Sequence, residues 1–150
     1  MIRHLLVVCT ANICRSPVIA SVLGECLPRV AVSSAGVAAK RDALADPMAV
    51  EVLKVRTGFD IHAHRSRPLV GSMCEAADLI LVMERAQRQA VHDRFPISWG
   101  KTWTLDAGED VFDPMGYPCH VYEAWLEEIL KKAGAWASRI ARINDDRITG

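Results

Sequence analysis

The sequence carries no excess of either charge: 18 Lys and Arg stand against 18 Asp and Glu over 150 residues. A nucleic-acid binder should show a basic excess or stripe, so that partner class is disfavoured. No block of like charge forms a membrane-surface tail, and no apolar run nears the ~20 residues that cross a bilayer. Leu5 to Val8 is too short an apolar stretch before Cys9 for a signal-peptide core of ~7–15 residues. No membrane insertion is expected, and the expected location is the cytoplasm. The five cysteines, Cys9, Cys14, Cys26, Cys74 and Cys119, are odd in number and irregularly spaced. They read as reduced thiols rather than a disulfide framework. Cys9/Cys14, Cys119/His120 and His62/His64 lack zinc-ligand spacing. No metal or other cofactor is expected. The glycine-rich fingerprint of a dinucleotide site is missing from the first loop. Repeats, low-complexity tracts and linkers are also missing, so residues 1–150 read as one domain.

What is present is a chain that is 51% hydrophobic, enough to bury a core without staples. Ile2 to Val8 is almost continuously apolar, the mark of a strand covered on both faces. Ser16-Pro17 reads as an N-cap and first helical position, opening a helix through Val18, Ile19, Val22 and Leu23. Val30 to Val32 forms a brief second strand ending at Ser33-Ser34-Ala35-Gly36. Asp46-Pro47 starts another helix, with Val50, Leu53 and Val55 in it and Gly58 just past its end. Asp78 to Met83 is the clearest internal strand, followed by a polar-faced helix over 84–94 and a short strand over 102–105. From Val121, Trp125, Ile129, Ala133, Trp136, Ile140 and Ile143 recur at helical spacing. Strands alternating with helices predict an α/β domain with a parallel sheet covered on both faces. Ligands of such sheets sit beyond the carboxyl ends of the strands, which directs attention to the loop after the first strand.

That loop reads Cys9-Thr10-Ala11-Asn12-Ile13-Cys14-Arg15-Ser16-Pro17. A short loop wrapped over a helix N-terminus aims backbone N–H groups at one spot and adds the positive end of the dipole. That suits phosphate. The same field favours sulfur as a thiolate and hence as a nucleophile. Arg15 offers a planar fork for two phosphate oxygens, a geometry lysine cannot supply. Taken singly, Cys9 reads as a small buried hydrophobe and Arg15 as a surface charge. Set between a buried strand and a helix start, the pair reads as a site for removing phosphate from monoesters. Asp113-Pro114 reads as a turn or a catalytic acid, with Asp106, Glu109 and Asp110 close by.

At these residues the sequence resembles the low-molecular-weight protein tyrosine phosphatases. Ser33 to Gly36 resembles the family's serine-containing segment, and Ile61 to Arg67 its histidine-and-arginine stretch. Asp78 to Met83 resembles its third strand and Asp113-Pro114 its catalytic-acid motif, so the likeness covers essentially the whole chain. It implies a three-layer α/β/α fold around a four-stranded parallel sheet, strand order 2-1-3-4, flavodoxin-like. It implies that Cys9 attacks phosphorus to form a cysteinyl-phosphate and that Arg15 grips the phosphoryl group. Asp113 would protonate the leaving phenolate and then activate water. The loop Thr10, Ala11, Asn12, Ile13, Cys14, Arg15 and Ser16 would bind phosphate. Asn12 would take a left-handed conformation, braced by Ser34 and His64, and Ser16 would donate to the thiolate. Cys14 would be either a redox partner of Cys9 or a packed thiol; the other three cysteines read as bystanders.

After Asp113-Pro114 come Met115 and Gly116, where eukaryotic members of the family carry two tyrosines. The segment is more similar to bacterial members, which often oppose tyrosine autokinases of capsule or exopolysaccharide export. Met115 and Tyr117, with Thr10 and the 38–42 segment, are candidate rim residues of the cleft. The expected partner is a phosphotyrosine-containing protein such as an autokinase, and the chain itself a monomer or weak dimer. Two other readings stay open. One is arsenate reductase on the same scaffold, for which Cys74 lacks a nearby relay thiol. The other is a phosphotyrosine-binding module without catalysis.

Overall fold

Leu5, Leu6, Val7 and Val8 are each no more than 2% exposed, so the strand they form must be covered on both sides. The computed structural model describes residues 1–149 and places this strand, β1 (His4–Cys9), inside the sheet. Side chains alternate across a strand. Leu5, Val7 and Cys9 accordingly enter one apolar layer, and Leu6 and Val8 the other. The first layer is built by α1 (Arg15–Cys26), α2 (Pro47–Thr57) and α5 (Cys119–Thr149). The second is built by α3 (Gly71–Ala76) and α4 (Arg85–Arg94), through Cys74 and Val91. With β2 (Ala31–Gly36), β3 (Leu79–Val82) and β4 (Thr102–Thr104), the sheet runs β2-β1-β3-β4 with every neighbour parallel. This is the three-layer, 2-1-3-4 arrangement expected.

The structure corrects several details. Ser16 does not cap α1: the helix begins at Arg15, with Cys14 in the cap position, and Ser16 lies inside the first turn. Its hydroxyl is taken by the loop, as described below. Pro17 remains acceptable there because first-turn N–H groups have no intrahelical partner. β2 runs on to Gly36, since its register with β1 pairs Val7 with Ser34, Val8 with Ala35 and Cys9 with Gly36. Glu84 sits in the cap position of α4 rather than in the helix, and α5 starts at Cys119. The short helix α3 and a 3-10 turn over Pro96–Ser98 were not legible, being too short for a period. Val55, expected within α2, is there but 82% exposed, on its outer face. No helix among the described residues is long and apolar enough to cross a membrane.

Candidate active site

β1 ends at Cys9 at the carboxyl edge of the sheet, and the chain turns back at once through Asn12, whose φ is 59°. That left-handed conformation is one asparagine tolerates better than most side chains. Every polar group of the fully buried Asn12 is engaged. Its N–H donates to Cys9 Sγ at 3.3 Å and its carbonyl accepts from His64 Nε2 at 2.7 Å. A carbonyl can only accept, so the His64 proton is on Nε2. Asn12 Nδ2 donates to Ser16 Oγ at 2.8 Å and Ser34 Oγ at 2.9 Å, while Oδ1 accepts the Arg67 N–H at 3.0 Å. That last bond fixes which way the amide faces. It also leaves the Ser16 hydroxyl proton free to point at Cys9 Sγ, 3.0 Å away. The sulfur thus receives two donors, a set suited to an anion.

The loop closes tightly because Gly36 lies beside it. A Cβ at Gly36 would meet Thr10 O at 2.4 Å, Ala39 Cβ at 2.8 Å and Asn12 Cβ at 3.1 Å. Beyond the loop, Ile13 O accepts from Asp46 N at 2.7 Å, tying it to the start of α2. Asp46-Pro47 therefore does serve as a helix start, and the Asp46 carboxylate accepts from Tyr122 of α5. Among the described residues, the N–H groups of Ala11, Ile13 and Cys14 bond to no other protein group. Successive unspent N–H groups in a turn beside a helix N-terminus make an anion cradle.

Arg15, 4% exposed, opens α1 directly after this cradle. Nη1 donates to Val111 O at 2.8 Å, and Nη2 pairs with Glu84 Oε1 at 2.8 Å, with Asp113 Oδ2 3.9 Å away. Val111 is itself anchored to the end of β3 by its N–H on Met83 O at 2.7 Å. Asp113 Oδ1 accepts from Met115 N at 3.1 Å, and Tyr117 N donates to Pro114 O at 3.0 Å, so the segment after the acid is a closed turn. On that turn Phe112 and Tyr117 meet edge to face at 5.2 Å, and Phe112, Met115 and Tyr117 are all exposed.

Cys14 is buried, and burial first, then the charges of Asp46, Asp113 and Cys9, push its thiol well above the ordinary range. The nearby Arg15 offsets this only in part. Cys14 and Cys9 are both buried and both free. Among the described residues no cluster of His, Cys, Asp or Glu is placed to hold a metal ion.

Sequence reasoning missed four contributors. Glu84 holds Arg15, and Val111 lends it a carbonyl. Arg67 holds Asn12 through its N–H and Ser34 O through Nε at 2.8 Å. Gln87, 2% exposed, accepts from Met83 N and Glu84 N at 2.9 Å each and donates to Thr10 Oγ1 at 3.0 Å. The Glu84-x-x-Gln87 spacing at a strand end was the available signal for two of them. Thr10, a candidate rim residue, has its hydroxyl occupied by that bond.

What this sheet edge offers is a grip for a tetrahedral oxyanion with a sulfur beneath it, which is the equipment of an enzyme acting on phosphate monoesters. A family model, "Low molecular weight phosphotyrosine protein phosphatase", matches residues 4–146. The chain is 44% identical over 142 residues to a probable low molecular weight protein-tyrosine-phosphatase EpsP of Ralstonia nicotianae, covering 93% of this chain and 97% of that one. Among solved structures it resembles Vibrio vulnificus Wzb in complex with benzylphosphonate, at TM-score 0.87 and 35% identity, over 93% of this chain and 99% of the other. It also resembles the YwlE arginine phosphatase from Geobacillus stearothermophilus, at TM-score 0.90 and 33% identity, over 96% of both chains. The chain belongs to the low molecular weight protein-tyrosine-phosphatases and is a phosphoric monoester hydrolase.

Proposed function

We propose that this single catalytic domain hydrolyses phosphotyrosine in proteins through a cysteinyl-phosphate, with Cys9, Arg15 and Asp113 as its catalytic residues. The observation that carries the reading is the donor set on Cys9 Sγ, from Ser16 and Asn12, in a loop that runs directly into the buried Arg15. In the first step sulfur attacks phosphorus and the S–P bond forms as the bond to the phenolic oxygen breaks. Asp113, in its acid form, gives its proton to that oxygen. In the second step the Asp113 carboxylate takes a proton from water, the oxygen attacks phosphorus and the S–P bond breaks. The thiolate returns to the Ser16 hydroxyl and the Asn12 N–H, and orthophosphate leaves. The loop N–H groups and Arg15 strengthen their hold as the transferring group flattens. General acid catalysis of this kind contributes about 10²–10⁴-fold.

The test is Asp113→Ala with aryl phosphates of graded leaving-group basicity. Turnover should fall by about 10²-fold or more for phenol-like groups and far less for good leaving groups. A rapid acid quench should trap one phosphoryl group on Cys9. Uniform loss across the series, or no trapped adduct, would refute the assignment.

The likeness to an arginine phosphatase supports a second reading, with phosphoarginine as substrate. A departing guanidine wants free carboxylates around it, but on this side Glu84, Asp106 and Asp110 are already paired with Arg15, Lys132 and Arg85, while the turn beside Asp113 offers Phe112, Met115 and Tyr117. Those side chains suit a phenyl ring, and we therefore favour tyrosine. Matched phosphotyrosine and phosphoarginine peptides decide between the two. Arsenate reduction is less well supported, because Cys74 is buried on the sheet face opposite Cys9. The resemblance to bacterial members makes a cytoplasmic role opposite a tyrosine autokinase of exopolysaccharide export the physiological reading we advance. It also makes Cys14 the thiol that would close a reversible disulfide with an oxidised Cys9.

A further inference from the structure

The strand order puts the segments flanking Cys9 on opposite banks. Residues 37–44 follow β2 on one side of β1, while Glu84 and residues 105–113 follow β3 and β4 on the other. The two banks differ in charge. On the β3 and β4 side stand Glu84, Asp106, Glu109, Asp110 and Asp113. Of these, Asp106 is paired with Lys132 at 3.1 Å, Asp110 with Arg85 at 3.6 Å and Glu84 with Arg15 at 2.8 Å. On the β2 side Lys40 and Arg41 are exposed, and Arg65 is joined to the same stretch by a backbone bridge to Leu44. Within residues 37–44 the one carboxylate is Asp42, and Asp46 just beyond is engaged by the Tyr122 hydroxyl. Among the described residues neither Lys40 nor Arg41 has a side-chain partner, and Arg65 bonds only the carbonyl of His64.

The basic bank is also rigid and fixed to the phosphate loop. Val37 N donates to Cys9 O and Ala38 N to Thr10 O, both at 3.0 Å. Ser66, 2% exposed, pins the turn from below. Its hydroxyl donates to Lys40 O at 2.6 Å and accepts from Ala43 N at 2.9 Å, and its carbonyl accepts from Asp42 N at 2.8 Å. Lys40 is two residues past Ala38, so its Cα lies within about 7 Å of that anchor even at full extension. Backbone ordering for a contact here is already in place before a partner arrives. A rigid, unpaired cationic bank beside a site for a dianion, opposite an acidic bank, polarises the cleft.

We propose that Lys40 and Arg41 recognise acidic residues flanking the target residue of the protein substrate, and so set both sequence preference and binding direction. This deepens the phosphotyrosine reading and rests on it. Solvent-exposed pairs are individually modest, worth about two- to fivefold each in affinity. Two charges acting together, with steering of the approach, predict a preference of about tenfold at low salt.

The experiment measures kcat/KM for three phosphotyrosine peptides, flanked by Glu-Glu, Ala-Ala or Lys-Lys, beside p-nitrophenyl phosphate. Wild type is compared with Lys40→Glu/Arg41→Glu. The readout is the ratio between peptides, which a general loss of activity does not move. Wild type should favour the acidic over the basic peptide by about tenfold at about 20 mM salt, with the ratio shrinking toward one near 300 mM. The charge-reversed variant should invert or abolish it. A wild-type ratio near one, or a ratio unchanged by the double reversal, overturns the proposal while leaving the phosphatase reading intact. Turnover of p-nitrophenyl phosphate with none of any phosphotyrosine peptide overturns both.

Discussion

Gly36 carries no side chain and packs behind the phosphate loop, yet replacing it with alanine should disable the enzyme. The added Cβ would lie 2.4 Å from Thr10 O, a backbone atom that no rotamer change can move aside. A relaxed C···O contact needs about 3.3 Å, so the two segments must part by about 0.9 Å. β2 is locked to β1 by register and covered by both layers, so the phosphate loop is the part that gives. Misplacing reacting groups by about 1 Å costs on the order of 10²-fold in rate. Crowding of this kind costs about 1–3 kcal/mol of stability, or roughly 2–10 °C in Tm for a chain of this size. The assay is kcat and KM on p-nitrophenyl phosphate, the inhibition constant of orthophosphate, and Tm. The expected outcome is a fall in kcat/KM near 10²-fold with weakened phosphate inhibition at a temperature where the variant is folded. Gly24→Ala is the control. It lies within α1 with nothing within 4 Å of its Cβ, and should be neutral or stabilising by up to about 1 kcal/mol. Wild-type phosphate affinity and turnover in Gly36→Ala would refute the close-approach account.

Asn12→Ala removes three buried side-chain hydrogen bonds and strands Ser16, Ser34 and the Arg67 N–H. It should cost about 2–4 kcal/mol by chemical denaturation and on the order of 10²-fold in kcat; a loss in stability alone would show that the bracing is merely structural. Alkylation of the native protein near pH 8 should label Cys9, protected by orthophosphate, and leave Cys14 unlabelled, because burial and neighbouring negative charge hold it as a thiol. Peptide mapping that finds Cys14 modified as fast as the exposed Cys26 would contradict this. Asp78 is pushed up by partial burial, but the N–H groups of Arg3 and His4 outweigh that and hold its carboxyl below the usual range. Its stabilisation is therefore present above the unfolded-state value of about 4 and lost as pH falls through the lower folded value. Asp78→Asn should cost about 0.5–1 kcal/mol at pH 7, discounted for exposure, and the gap from wild type should close as pH falls below about 4; a gap independent of pH would rule out the carboxylate.

The parts of this protein that were legible in its sequence are those written locally. An unbroken apolar run encodes a strand buried on both faces, and Asp46-Pro47 with Gly58 encodes the two ends of α2. The strand-loop-helix unit at Cys9 to Arg15 is local too, which is why the candidate site is legible in the sequence. Failure began where a role depends on a neighbour far along the chain. Glu84 lies 69 residues from the Arg15 it pairs with, and Val111 lies 96 away. Nothing in a glutamate after a strand or a valine before an aspartate announces such a partner.

Ser16 shows the more general limit. Locally, serine before proline is a helix cap, because its side chain can satisfy a free N–H of the first turn. Here the left-handed turn at Asn12 brings the Asn12 amide and the Cys9 sulfur to that hydroxyl, and both bonds lie outside the helix. The helix accordingly begins one residue earlier, at Arg15, and its cap position makes no side-chain bond. A first turn with free N–H groups is the more costly local solution, and it is also the one that binds an oxyanion. Asp46 likewise makes no cap bond and accepts from Tyr122, but only at Ser16 does the diverted side chain reach the candidate site. The failure has a direction: a hydroxyl that would have accepted from a helix N–H instead turns its proton to the Cys9 sulfur. Ser16→Ala should therefore leave α1 intact and act on the sulfur, slowing the step in which the thiolate departs more than the step in which it attacks.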